Sequence, residues 1–214
     1  MDSKQPHLMQ YLHWIGHDSY RIDEPLVIYI DPWRLPAGSP PADLILVSHE
    51  HHDHCSPESV DQIRKAGTVI LASAGAAESL GEGVTVMRPG QRQVVGPVTI
   101  ETVPAYNIDK PFHPQEANHL GFILEIEGER LYFAGDTDVI PEMKSIRCDI
   151  ALLPVSGKYT MDADQAVQAA GILRPKVAVP MHYGAGVAGT AADADHFREK
   201  SPVPVVVLKA EGSA

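Results

Sequence analysis

The stretch "DLILVSHEHHDH", residues 43–54, runs from an unbroken apolar segment straight into four histidines interleaved with Glu50 and Asp53. The apolar part is short and continuous, as in a strand covered on both faces, and it ends at Ser48. His49 is therefore the residue that leaves the strand. His49 and His51 lie two apart in extended chain and project to the same side, as two imidazoles sharing one cation require. His52 points away and is left out of the ligand set. Asp53 and His54 follow as the chain turns, offering a carboxylate and an imidazole to a second cation beside the first. A zinc-protease helix of the H-E-x-x-H type is excluded, because position 53 is aspartate.

The same arrangement recurs twice. "RLYFAGD", 130–136, ends in Asp136, and "KVAVPMH", 176–182, ends in His182. Three apolar strands thus each deliver a metal-competent group at the C-terminal end, the edge at which open α/β sheets bind ligands. Two adjacent cations need a shared carboxylate and a closing imidazole, so Asp136 is expected to bridge them and His182 to complete the second site. Asp138 is the next candidate for the bridge. "VSGKYTMD", 155–162, follows another buried run, "DIALLPV", and is expected to place Lys158 and Tyr159 on the same rim, with Tyr183 beside His182. These three are candidates for binding an anionic group or protonating a leaving group, against a reading in which both tyrosines are wall residues and Lys158 is solvated.

Short β-rich runs punctuated by Gly and Pro fill the chain, from "QYLHWIG" and "PLVIYID" to "KVAVPMH" and "VPVVVL". Helices fit over 57–66, with Ser56 as N-cap and Gly67 closing it, over about 162–173, over 190–200 behind a T-x-x-D start, and more weakly near 74–80. Strands that outnumber the helices predict an α/β fold of four layers, two mixed sheets face to face with helices outside, in one domain spanning 1–214. The segments 31–43 and 104–119 are expected to be long loops, which in compact domains tend to be functional.

The formal charge is −11, with no cluster of Lys or Arg to track a phosphate backbone, so nucleic acid is not an expected partner. No run of 18 apolar residues and no basic-then-apolar leader is present. A cytoplasmic protein acting on a small molecule, away from membranes, is expected, and nothing in the sequence bears on its oligomeric state. Cys55 and Cys148 read as free thiols.

Taken together, "SHEHHDH", "FAGDT" at 133–137, "PMHYG" at 180–184 and the opening "WIGHDSYRI" with "VIYIDP" resemble the metallo-β-lactamase-fold hydrolases over residues 10 to 208. Within them the opening is most similar to the branch of L-ascorbate 6-phosphate lactonase and N-acyl phosphatidylethanolamine phospholipase D. The resemblance implies a third imidazole for the first cation, near the "PA" dipeptide at 104–105, but Asn107 stands near that place. His113 and His119, further along the same loop, are the candidates, and His113 is favoured because a Pro-flanked loop can swing inward while His119 begins the next strand. It also implies that Asp31 orients a ligand imidazole, although Asp31-Pro32 reads equally well as a turn. His17 is taken as a hairpin histidine.

Two divalent cations in this N/O ligand set suit Zn²⁺ best, with Mn²⁺ or Fe also fitting. The expected chemistry is hydrolysis by a metal-bridging hydroxide of a small phosphate- or carboxylate-bearing substrate, whether phosphodiester, phosphoester or lactone. Two other classes are weighed against it. A nuclease of the same fold would bring a basic face, and a redox or non-catalytic metal-binding protein would need a partner domain or an incomplete ligand set.

Overall fold

The computed structural model describes residues 5–211. Two six-stranded sheets carry the chain. The first has the order β1 (Leu12–Gly16), β2 (Ser19–Ile22), β3 (Ile28–Ile30), β4 (Leu44–Val47), β5 (Val69–Ala72) and β6 (Val84–Val86). Across the second the order is reversed, with β12 (Val177–Met181), β11 (Ile150–Pro154), β10 (Glu129–Phe133), β9 (Leu120–Ile126), β8 (Val98–Pro104) and β7 (Arg92–Val95). Both sheets mix parallel and antiparallel pairs.

The apolar run of β4 explains the layering. Leu44 and Leu46 join the core shared with the second sheet, while Ile45 and Val47 face the other way. There they meet Val60 and Ile63 of α1 (Pro57–Ile63) and Ala76 of α2 (Ala74–Leu80). Strand period two thus puts alternate residues into two different cores, and no polar face remains to be exposed. On the far side, α3 (Ala163–Leu173) packs on β11, and α4 (Ala191–Lys200) packs on α3 and β12. The expected four layers are present.

Helix starts follow side-chain chemistry. Ser56 accepts from the backbone N–H of Ser59 ahead of Pro57, a cap of about 1 kcal/mol. Asp162 and Gln165 form a reciprocal capping box, and the Asp193 carboxylate accepts from both the N–H and the hydroxyl of Thr190. The first helix is shorter than expected. It stops at Ile63, because Arg64 turns to extended backbone before Gly67 is reached.

Two further corrections concern strands. "VPVVVL" forms no ladder, since Pro204 has no N–H to give. Instead the segment lies along β12 through Ala178, while the residues after it reach Trp14 of β1. One C-terminal stretch therefore covers an edge of each sheet. Conversely β7, mostly exposed and polar, carries no alternating signal yet pairs as the outermost strand against β8.

Direction places the site. β3 and β4 run parallel, as do β10, β11 and β12, and β1 and β3 both pair antiparallel to β2. The ends of all six, and the β1–β2 turn at His17 and Asp18, consequently open on one rim. Since β9 runs antiparallel to β10, the segment 105–119 that precedes it arrives at that rim too.

Candidate metal centre

Seven of the expected ligands converge there. His49 Nε2 lies 3.1 Å from His51 Nδ1, which is 3.2 Å from His113 Nε2. The Asp136 carboxylate stands beside them, with Oδ2 3.2 Å from His113 Nε2 and 4.0 Å from His49 Nε2. A second group shares that carboxylate. Asp136 Oδ2 is 3.2 Å from His182 Nε2, and Oδ1 is 3.4 Å from His54 Nε2, with Asp53 Oδ2 at 3.9 Å from the same His54 nitrogen. Donors held about 2.1 Å from one cation at 90–110° lie about 3.0–3.4 Å apart, so the separations of 3.1–3.4 Å in the two groups are those of ligand shells, while His49–Asp136 and His54–Asp53 are wider.

The imidazoles are held with chosen nitrogens inward. Ser48 donates its hydroxyl to Asp31 and so accepts from His49 Nδ1, 2.9 Å away, which leaves His49 Nε2 with its lone pair toward the site. His54 donates from Nδ1 to Asp31 at 2.8 Å and bares its Nε2 in the same way. Ser156 Oγ meets His182 Nδ1 at 2.9 Å. Asp31 is therefore the orienting carboxylate and not merely a turn. It is fully buried, also accepts from the Ser48 N–H, and sits at φ 45°, a conformation that Asn and Asp tolerate best. His17 and His182, at φ 53° and 59°, are likewise left-handed. Backbone strain collects at this rim, as it does at functional sites.

Loop 105–119 brings His113, and not His119, into one group of possible ligand atoms with His49 and His51. Asn107 Oδ1 accepts from both the N–H and Nδ1 of His113, which fixes the ring with Nε2 inward. His119 instead stacks on His49 with ring centroids 4.8 Å apart, and its Nε2 lies 3.4 Å from Glu50. It packs behind the first group and supplies no donor to it, since its place just before β9 aims the ring at the flank of His49. His52 is exposed, lies edge-on to Trp33 and lines the mouth of the site beside Asp53.

The catalytic candidates divide. Tyr159 lines the mouth of the site, a cavity of about 220 Å³ walled also by Phe112, His113, Asp136, His182 and Val187. Lys158 is exposed, its ammonium 4.7 Å above the Tyr159 ring. Tyr183 is misplaced by the sequence reading. It is buried and stacks on Trp14 at 4.8 Å, inside the core and not in the cavity. Burial pushes the Cys55 thiol up to about 11, so it contributes packing and no nucleophile.

Charge is divided between the two groups. Burial, chiefly, holds His49 well below the usual imidazole range and pulls His113 down to about 4. At His182 burial also opposes the charge, but Asp136 and Asp18 outweigh it and raise the group to about 9. His54 is raised well above its ordinary value against the same opposition, and Asp136 is held well below its own by His182 and His54 despite its burial.

Several buried polar atoms here have no hydrogen-bond partner among the described residues, including His54 Nε2, Asp136 Oδ1 and both oxygens of Asp18. Each such atom costs about 1–3 kcal/mol unless something satisfies it. Converging lone pairs with fixed tautomers and no donor to meet them fit divalent cations. Asp18, which the sequence reading passed over, belongs to this set.

With the geometry in place, comparison with known proteins agrees. A β-lactamase superfamily domain matches residues 11–182. The chain belongs to this superfamily. Its relatives there are UPF0173 metal-dependent hydrolases. One from Thermococcus onnurineus is 32% identical, over 94% of this chain and 97% of its own, and one from Pyrococcus abyssi is 33% identical over the same shares. A solved structure from Parabacteroides distasonis is 34% identical and superposes with a TM-score of 0.83, covering 92% of this chain and 93% of that one. The metallo-β-lactamase fold and metal-dependent hydrolase activity are thus those of this chain. Among the described residues no helix is long and apolar enough to cross a membrane.

Because Asp31 fixes both His54 and, through Ser48, His49, the change Asp31→Asn is expected to weaken metal binding by about 10–100-fold. Asparagine accepts the left-handed backbone, but its NH2 faces the buried donors of Ser48 and His54, so the melting temperature of the metal-free protein should fall as well. Metal titration beside thermal melting checks both statements, and unchanged affinity would remove Asp31 from the account.

Proposed function

We propose that the protein is a dinuclear hydrolase of a small phosphate- or carboxylate-bearing substrate, a phosphodiester, phosphoester or lactone. The observation that carries this reading is Asp136, whose one carboxylate touches the donors of both groups. His49, His51, His113 and Asp136 would hold the first cation, and Asp53, His54, Asp136 and His182 the second. Two divalent cations so held supply an activated water and polarise the bond it attacks. Zn²⁺ suits the first group, with Mn²⁺ or Fe admitted by the carboxylates of the second.

The chain's own residues supply the rest. Phe112 and Tyr159 meet edge to face at 4.8 Å and, with Val187, give the mouth an apolar wall that keeps bulk water from the reacting bond. A cavity of about 220 Å³ suits a small substrate better than a polymer. Lys158 draws the negative group toward the rim, and the Tyr159 hydroxyl gives the leaving group its proton. The likeness of the opening hairpin to the L-ascorbate 6-phosphate lactonase branch favours lactones and phosphate-bearing sugars among the candidates. Metal-reconstituted protein screened against phosphodiesters, phosphomonoesters and lactones tests the reading. Turnover of one class that disappears with chelator supports it, and no turnover of any of the three overturns it. From the net charge of −11 without a Lys/Arg cluster we also propose a one-domain cytoplasmic protein that acts without a nucleic-acid or membrane partner.

Loading should also release protons. His182 must be neutral to bind a cation, and with its value raised to about 9 it carries a proton at pH 7. Affinity should therefore rise with pH through about 9. Calorimetric titration in buffers of different ionisation heat reads the released protons directly, and an apparent enthalpy independent of buffer at pH 7 would contradict the assignment.

A further inference from the structure

We propose that Asp18 is a fifth protein donor to the second cation, making that site carboxylate-rich and matching it to Mn²⁺ or Fe²⁺ where the first suits Zn²⁺. The proposal rests on the two-cation reading above. Asp18 lies in the tight turn between β1 and β2 and is fully buried. Its Oδ2 stands 3.4 Å from His17 Nε2, 3.5 Å from His54 Nε2 and 3.8 Å from His182 Nε2. Neither carboxylate oxygen accepts a hydrogen bond from any of the described residues. A buried carboxylate that neither caps a helix nor closes a turn by hydrogen bonding is costly to leave bare in a folded protein. Its Oδ2 and the imidazole nitrogens of His17, His54 and His182 form one group of possible ligand atoms, all within 4.8 Å of one another.

His17 has a different task. Its Nε2 meets Asp53 Oδ2 at 3.1 Å and steers that carboxylate. With Asp18 included, the second site offers carboxylates from Asp18, Asp53 and Asp136 and imidazoles from His54 and His182. The first offers three imidazoles, His49, His51 and His113, and only the Asp136 carboxylate. Oxygen-rich shells of five donors, with a place left for water or substrate, suit cations that prefer six-coordination, such as Mn²⁺ and Fe²⁺, whereas Zn²⁺ settles for four with nitrogen donors. The two sites are thereby made chemically unequal by a residue of the hairpin turn.

The test uses the full chain, stripped of metal and given one equivalent each of Zn²⁺ and Mn²⁺, read by elemental analysis and by Mn²⁺ electron paramagnetic resonance. Wild type should retain one of each. In Asp18→Asn the affinity for Mn²⁺ at the second site should fall by about 100-fold while the first-site Zn²⁺ is kept. Melting of the metal-free variant should match or exceed wild type, because no hydrogen bond is lost. A merely structural Asp18 would instead lower melting with and without metal. Asp18→Ser serves the same comparison if the asparagine variant folds poorly. Mn²⁺ affinity within about threefold of wild type in the variants overturns the ligand assignment, as the loss expected even for an outer partner is larger. Wild type that binds two cations with no preference between its sites overturns the choice of metal. Wild type that binds a single equivalent fails the two-cation reading itself and this proposal with it.

Discussion

The Asp136→Ala protein is expected to lose cations from both sites at once and to lose hydrolysis by more than about 10³-fold. The Asp136 carboxylate reaches the donors of both groups. Asp136 Oδ2 lies 3.2 Å from His113 on one side and 3.2 Å from His182 on the other, while Oδ1 faces His54. Removing it also leaves the raised His54 and His182 without their main counter-charge. Elemental analysis of the variant, beside turnover on the substrate class found by screening, reads the effect. If the variant keeps two cations and normal turnover, the bridge lies elsewhere. Asp138, the next carboxylate along, is already engaged by the Ile108 N–H and by Lys110, and so is poorly placed to replace it.

The second large effect separates two histidines of one loop. His113→Ala should empty the first site and reduce hydrolysis by about 10²-fold or more, since it removes one of the three imidazoles there. His119→Ala should leave the metal content intact and lower stability by about 1 kcal/mol, because its ring only backs His49. The Asn107→Ala change falls between them, as it frees the His113 ring without removing it. Metal content and melting temperature measured on the same preparations distinguish these outcomes. Loss of metal in His119→Ala with retention in His113→Ala would reverse the assignment.

The contrast between these two histidines shows what could be read from sequence. His49, His51, Asp53, His54, Asp136 and His182 were legible because each stands where an apolar strand runs out, or in the turn just after it, and strand direction carries all of them to one rim. The preference for His113 over His119 followed from loop and strand position alone. Asn107 could be seen only as a missing imidazole, because its task, holding His113, is a contact that exists once the loop has closed.

Tyr183 was misread for a related reason. Being next to His182 says nothing of which way its ring turns, and Trp14, from the other end of the chain, takes it into the core. Asp18 was passed over because Gly-His-Asp in a hairpin reads as turn chemistry, and only burial without hydrogen bonds reveals otherwise. The polar edge strand β7 and the proline-containing "VPVVVL" mark the same limit in the fold. Pattern reports burial, and edge pairing depends on neighbours that the pattern does not name.

Equilibrium metal stoichiometry of the wild-type chain tests the central claim most directly. Protein stripped of metal, dialysed against excess cation and analysed for bound metal should reach two equivalents per chain. A constant single equivalent under saturating Zn²⁺ and under saturating Mn²⁺ would contradict it.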